Sequence, residues 1–408
     1  MTLTTYLVKS DRPGDDPIFT INAEAEKRKA GGEPVINASL GVLLADDGSL
    51  AILPSLTRAV RALEPLDFAP YAPIAGTPEL LVGIMSDLFA EQPTLREVAT
   101  AVATPGGSGA IRHAIATFLE PGQALLTSSL HWSPYSILAR EHDREIETFD
   151  MFDSKGPMHA LHAEALERAL ASQLARQGRA LLVLNDPCHN PTGFSMADAD
   201  WAAVEDIIHR NASRGPITVL LDAAYTAFSP HGLSIALSHL KRLMQYSQVL
   251  IAWSASKSFT AYGLRVGALV ALVPDLIERR KVQAALGYAC RGTWSNCNRA
   301  GMTAVARLLH DPTLRPALQV ERSEVVGLLN ERVRAFRDAA RGRLRHPRYD
   351  GGFFVTVFSK NPQRQAARAA AQGLFVVPVE GGLRVALSCV STPVVPQLVD
   401  MLARTIDA

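Results

Sequence analysis

The segment Ser254-Ala255-Ser256-Lys257 directly follows the apolar run Val249-Leu250-Ile251-Ala252-Trp253, and Arg265 comes eight positions later within Tyr262-Gly263-Leu264-Arg265-Val266-Gly267. A lysine at the mouth of a buried strand serves chemistry better than solubility. Burial disfavours its charged form and leaves an amine that can attack a carbonyl carbon. The hydroxyls of Ser254 and Ser256 and the cation of Arg265 suit a phosphate nearby. Lysine is scarce in the chain: Lys9, Lys27, Lys29, Lys155, Lys241, Lys257, Lys281 and Lys360 are the full set, and most lie in polar or turn-like surroundings. A reactive amine beside a phosphate site points to pyridoxal 5'-phosphate held as a Schiff base.

Four further segments follow strand-like runs. Thr104-Pro105-Gly106-Gly107-Ser108-Gly109 runs into a helical pattern, so Gly107 and Ser108 bring backbone amides and a helix N-terminus to an anion. Alone, such a turn is more often just a turn. Trp132 lies after the run around Leu125-Leu126 and offers a flat ring for stacking, although a core tryptophan is the commoner use. Asn190 sits in the turn Asn185-Asp186-Pro187-Cys188-His189-Asn190-Pro191-Thr192-Gly193, where its amide either faces a ligand or bonds its own backbone. Asp222 ends an apolar strand, a costly position unless paired, and a protonated pyridine nitrogen would be a natural partner. The bland use of Asp222 is as a helix cap. Tyr225, three residues on, can offer its hydroxyl to the ring oxygen. Each segment has an ordinary reading; the set in this order does not.

The elements that must position these residues alternate. From about residue 98 to 275, short apolar runs such as Ala180-Leu181-Leu182-Val183-Leu184 and Ile217-Thr218-Val219-Leu220-Leu221 are separated by helical patterns such as Trp201 to Ile208. That alternation predicts a mostly parallel sheet with helices on both faces, its ligand site beyond the carboxyl ends of the strands. The C-terminal stretch reads as a smaller α+β domain: a helix over Val320 to Arg341, strands at Gly352 to Phe358, at Phe375-Val376-Val377 and at Leu383 to Leu387, and a closing helix from Thr392-Pro393. Pro34-Val35-Ile36-Asn37 is expected to join it. The expected division is an N-terminal arm over 1–15, small-domain parts over 16–50 and 320–408, and a large cofactor-binding domain over 51–319.

With 48% hydrophobic and 20% charged residues, the 408-residue chain has the composition of a soluble globular protein. A net charge of +1 gives no field that argues for nucleic acid or an anionic membrane. No apolar run reaches spanning length, and the N-terminus has no basic start followed by a signal-type stretch, so the cytoplasm is the expected compartment. Cys188, Cys290, Cys297 and Cys389 form no Cys-x-x-Cys pair, which argues against a disulfide framework or a zinc site; no metal is expected.

The chain resembles the class I aminotransferases, fold type I pyridoxal-phosphate enzymes, and within them the aspartate/aromatic subgroup. The resemblance covers nearly the whole length. It rests on Tyr71-Ala72-Pro73-Ile74-Ala75-Gly76, Cys188-His189-Asn190-Pro191-Thr192-Gly193, Asp222-Ala223-Ala224-Tyr225, Ser254-x-Ser256-Lys257 with Arg265, Arg291-Gly292-Thr293-Trp294-Ser295-Asn296 and the late Arg384. It implies that Lys257 bonds the cofactor and moves the substrate Cα proton, that Asp222 binds the ring nitrogen, that Asn190 and Tyr225 bond the ring oxygen, and that Trp132 stacks. Gly107, Ser108, Ser254 and Arg265 would hold the phosphate, with Tyr71 reaching it from a neighbouring subunit of a homodimer. Arg384 would clamp the substrate α-carboxylate, beside Gly41, Trp132 and Asn190, and Arg291 would cross from the second subunit to a distal carboxylate.

The implied activity is transfer of an amino group between an amino acid (aspartate, glutamate or aromatic) and a 2-oxo acid such as 2-oxoglutarate, by a ping-pong cycle. Another pyridoxal-phosphate reaction on the same scaffold, β-elimination or decarboxylation, is the alternative within enzymes. A regulator keeping the fold as a sensor would need a DNA-binding domain ahead of it, for which the N-terminal stretch is too short. Departures from the subgroup surround the pocket: Gly106 for a serine, Tyr135 for a histidine that supports the ring-binding aspartate, Thr226 and Ala227 for glutamine and glycine, and Leu43 for a tyrosine. They point to altered substrate preference more than altered chemistry.

Overall fold

A computed structural model describes residue 14, residues 16–153, residue 156 and residues 158–406. Apart from Gly14, the expected arm over 1–15 lies outside the described residues. The large sheet has seven strands: β2 (Ala99–Pro105), β3 (Ala124–Ser128), β4 (Glu145–Phe149), β5 (Ala180–Asn185), β6 (Ile217–Asp222), β7 (Gln248–Ser254) and β8 (Val266–Leu272); β1 (Ile36–Asn37) lies elsewhere. Their spatial order is β2-β8-β7-β6-β5-β3-β4. Only β8 runs against its neighbours, β2 and β7; the other pairings are parallel.

Continuous apolar runs make these strands because both faces are covered. Alternate residues feed two separate cores: Leu126, Leu182, Leu184, Val249 and Ile251 pack into one, and Leu125, Leu181, Val183 and Leu250 into the other. Helix Asp198–Asn211 covers the first face through Trp201, Val204, Ile207 and Ile208. Helix Gly106–Phe118 covers the second through Ala110, Ile111, Ala114 and Ile115. A strand with one wet face would have shown polar alternation instead.

The smaller unit is built on β9 (Phe354–Phe358), β10 (Leu374–Phe375), β11 (Val377–Val379) and β12 (Gly382–Ala386). Strands β11, β12 and β9 form an antiparallel sheet, and β1 pairs in parallel with β10, so the N-terminal segment joins this unit. The single strand expected at Phe375-Val376-Val377 is two. The chain leaves its β1 partner after Phe375 and then pairs with β12, and Pro378, which lacks an N–H, sits on the edge strand β11, where no ladder donor is required. The closing helix is Val395–Ile406, preceded by a 3-10 turn at Thr392–Val394 whose Thr392 N–H donates to Asp46 Oδ1 at 3.0 Å. Helix Leu314–Ala340 links the units, with Leu318 in the large core and Val333, Phe336 and Ala340 in the small one. Among the described residues no helix is long and apolar enough to cross a membrane.

Candidate active site

Strand register brings the chemistry-bearing residues to one sheet edge. Asn185 ends β5 directly beside Asp222, the end of β6, and Asp222 pairs with Ala252 of β7. At the other side Ser254 pairs with Gly267, and Pro105 with Val266. Because β8 runs the opposite way, the residue just before it, Arg265, arrives at the same edge at which β2 and β7 end.

Lys257 lies on the one-turn helix Ala255–Ser258, capped by Ser254 Oγ accepting from the Ser256 N–H at 3.2 Å. Its Nζ donates to the Gly41 carbonyl at 2.6 Å and lies 4.7 Å from the centre of the Tyr262 ring. Burial, with the Arg265 and Arg384 cations nearby, lowers its pKa to about 8. Such an amine is neutral often enough near neutral pH to act as nucleophile or base.

Asp222 is buried, and burial pushes its pKa up to about 6 against the hydrogen bonds from Tyr135 and Ala224. The Tyr135 hydroxyl donates to Oδ2 at 2.6 Å, while the Ala224 N–H reaches Oδ1 at 3.3 Å. A carboxylate held this way keeps lone pairs for a cation in the cavity it lines. Asn185 fixes the neighbouring turn: its Nδ2 donates to the Asp222 carbonyl at 2.8 Å and its Oδ1 accepts from the Asn190 N–H at 2.7 Å. The Asn190 Nδ2 then lies 3.5 Å from the Tyr225 hydroxyl, whose pKa burial raises. Trp132 lines the same cavity and meets Tyr135 edge-to-face, with centroids 5.5 Å apart.

Gly107, Ser108, Ser254 and Arg265 line the cavity together, Gly107 and Ser108 at the N-terminus of the thirteen-residue helix Gly106–Phe118. Arg265 Nη1 donates to Ser256 Oγ at 3.1 Å and to the Tyr262 carbonyl at 3.0 Å. The glycine at 106 has a structural reason: its φ is +68°, and a Cβ there would lie 2.6 Å from Arg265 Nη2. Gly267 is bound likewise, since its Cβ would sit 2.4 Å from the Gly106 carbonyl carbon. Gly106→Ser therefore lowers stability by about 1–3 kcal/mol through the left-handed backbone, more than one added hydroxyl returns, and it displaces the Arg265 tip. Thermal unfolding and cofactor titration check this; a serine variant that binds cofactor more tightly at unchanged Tm contradicts it.

Arg384, on β12, lines the same cavity and is buried over the Phe354 ring, 4.5 Å from its centre. Nη2 donates to the Ser39 carbonyl at 2.6 Å, Nε is buried without a partner among the described residues, and burial lowers the pKa to about 10. A guanidinium left this open fits a carboxylate arriving from the cavity. The cavity encloses about 460 Å³ and is lined by Gly41, Asn190, Asp222, Tyr225, Lys257 and Arg384 as well as the residues above. Tyr71 and Arg291 do not line it: Tyr71 is 89% exposed, and Arg291, also exposed, donates to Ser295 Oγ. Tyr262, Phe354 and Asn185 were not singled out from sequence. Tyr262 stood within the quoted Lys257–Arg265 segment, but nothing local marks a tyrosine whose hydroxyl accepts from the Leu43 N–H at 3.0 Å.

These features fit pyridoxal 5'-phosphate: an amine for its aldehyde, a carboxylate for its ring nitrogen, and a helix N-terminus with an arginine for its phosphate. Comparison with known proteins agrees. The chain is 28% identical over 310 residues to an aromatic-amino-acid aminotransferase of Paracoccus denitrificans, covering 74% of this chain and 76% of that one. It is 28% identical over 335 residues to an aspartate aminotransferase of Pseudomonas aeruginosa, covering 79% and 78%. The crystal structure of an aminotransferase from Anaerococcus prevotii superposes with a TM-score of 0.90 at 29% identity, covering 99% of this chain and 100% of that one. Residues 33–402 match the family "Aminotransferase class I and II", so the chain belongs to that family and is a pyridoxal-phosphate-dependent aminotransferase.

Proposed function

We propose that this enzyme moves amino groups between aspartate, glutamate or aromatic amino acids and 2-oxo acids such as 2-oxoglutarate, as a cytoplasmic homodimer with shared active sites. One observation carries the reading: the Lys257 amine, the Asp222 carboxylate and the Arg384 guanidinium open into the same cavity.

When bound, the cofactor supplies an electron sink for the charge left by breaking the substrate Cα–H bond. The protein does the rest. Arg384 takes the substrate α-carboxylate in its planar fork, which fixes the orientation of Cα. Lys257, its pKa lowered by burial, holds and moves the proton at Cα as general base and acid. Asp222 keeps a negative charge facing the ring nitrogen, Asn190 and Tyr225 orient the ring oxygen, and Trp132 covers the ring face. Gly107, Ser108, Ser254 and Arg265 hold the phosphate. The large and small domains follow the division at residues 16–50, 51–319 and 320–408.

A second copy of the chain completes the site. Exposed apolar residues Leu66 (77%), Phe68 (52%) and Tyr288 (83%) accompany Tyr71 and Arg291 outside the single-chain cavity, and a homodimer would bury them while delivering Tyr71 to the phosphate and Arg291 to a distal carboxylate. An amino-donor screen with 2-oxoglutarate as acceptor, comparing acidic with aromatic donors, tests the substrate class. Arg291→Ala is expected to lower kcat/KM for aspartate and glutamate by about tenfold to a hundredfold, the size of a lost charge-assisted contact, and to leave aromatic donors within about threefold. Unchanged kinetics with acidic donors would remove Arg291 from the site.

A further inference from the structure

Tyr135 lies fully buried on the helix Pro134–Arg140 that follows the β3 exit loop. Its backbone N–H donates to the Trp132 carbonyl at 3.0 Å, its ring meets the Trp132 indole at an interplanar angle of 88°, and its hydroxyl donates to Asp222 Oδ2 at 2.6 Å. The His131 ring lies nearly parallel to it, with centroids 6.2 Å apart. Trp132 and Asp222 belong to different strand exits, β3 and β6, which are separated in the sheet by β5. Tyr135 bridges them.

We propose that Tyr135 is a positioning residue that sets two walls of the cofactor site at once, holding the Asp222 carboxylate with its hydroxyl and the Trp132 indole with its ring. The inference rests on the reading of Asp222 as partner of the ring nitrogen. A carboxylate at the end of a strand can rotate, and rotation would turn its free lone pairs away from the cavity. Among the described residues Oδ1 is held only by the 3.3 Å contact to the Ala224 N–H. The short bond to Oδ2 therefore fixes the carboxylate plane and leaves Oδ1 as the oxygen with spare acceptor capacity. Burial and the Asp222 charge push the phenol pKa well above its usual value, so the hydroxyl keeps its proton and donates throughout the working range. The departure from the subgroup's histidine thus retains a donor to the aspartate and gives that donor a larger ring against the indole.

The test is equilibrium binding of pyridoxamine 5'-phosphate, and separately of inorganic phosphate, to the full-length protein freed of cofactor. Tyr135→Phe is expected to weaken pyridoxamine 5'-phosphate about tenfold or more, the loss of one hydrogen bond to a charged group, with inorganic phosphate unchanged because its contacts lie at Gly107, Ser108 and Arg265. Tyr135→His, restoring a donor, is expected to recover most of that loss. Asp222→Asn is the control: if it weakens pyridoxamine 5'-phosphate and Tyr135→Phe stays within twofold of wild type, the positioning role is overturned while the reading of Asp222 stands. If Asp222→Asn also changes nothing, that reading fails and takes the proposal with it. Equal weakening of inorganic phosphate by Tyr135→Phe would mean a general collapse and would overturn it too. For the second wall, the induced circular dichroism of the bound cofactor is expected to persist in Tyr135→Phe and to fall in Tyr135→Leu; equal signals in the two variants overturn the Trp132 part.

Discussion

Lys257→Ala is expected to cut transamination by at least about 10⁴-fold, because in the roles proposed for it one substitution removes both the covalent anchor and the proton-moving group, and general acid–base catalysis alone contributes about 10²–10⁴. The fold should not suffer. Among the described residues the amine makes one hydrogen bond, to the Gly41 carbonyl at 2.6 Å, and its burial disfavours the charge that the unfolded chain would keep. Losing that bond costs about 1 kcal/mol, and relief of the buried cation offsets part of it. Single-turnover measurement of the half-reaction, beside far-ultraviolet circular dichroism and Tm, checks both halves. Turnover within tenfold of wild type would remove Lys257 from the mechanism; a large fall in Tm would mean that the loss of activity is structural.

The sheet and the positions of the site segments were legible because a parallel sheet writes itself plainly. Doubly buried strands give runs such as Val183 and Leu184 beside Leu220 and Leu221, and polar residues at their ends, Asn185 and Asp222, then stand out against the apolar background. The segment around Lys257 was equally exposed to reading, since a lysine after five apolar residues has few structural uses. What stayed hidden depends on contacts between distant segments. The resemblance marked Tyr135 as replacing a histidine that supports the aspartate, but no local pattern shows the bond itself: Tyr135 and Asp222 are 87 residues apart, and the β3 and β6 exits bring them together. The requirement for glycine at 106 comes from Arg265, across an antiparallel pairing of β2 with β8 that no local pattern announces. The break between Phe375 and Val377 arises from a change of partner, and a three-residue apolar run has no means of recording that.

Arg384→Leu is expected to lower kcat/KM for every amino acid and 2-oxo acid by about a thousandfold, or ~4 kcal/mol, through loss of the bidentate charge-assisted contact proposed for the α-carboxylate in this buried site. The direction for stability differs, and that contrast makes the prediction specific. In the free enzyme Arg384 is a buried cation with one short bond to the Ser39 carbonyl and an unpartnered Nε. Replacing a buried charge by an apolar side chain is often neutral or stabilising. Against this, the Ser39 carbonyl loses its donor, at about 1–3 kcal/mol. The two terms are of similar size, so Tm should move little while activity collapses. Arg384→Lys separates charge from shape. The ammonium keeps the charge but cannot form the planar fork, so kcat/KM should fall between the other two forms, with the loss equal for acidic and aromatic donors because the α-carboxylate is common to both. A loss confined to one donor class would place the clamp elsewhere. In that case the open edge of this guanidinium would serve the substrate side chain, and the α-carboxylate would need another cation from the cavity wall.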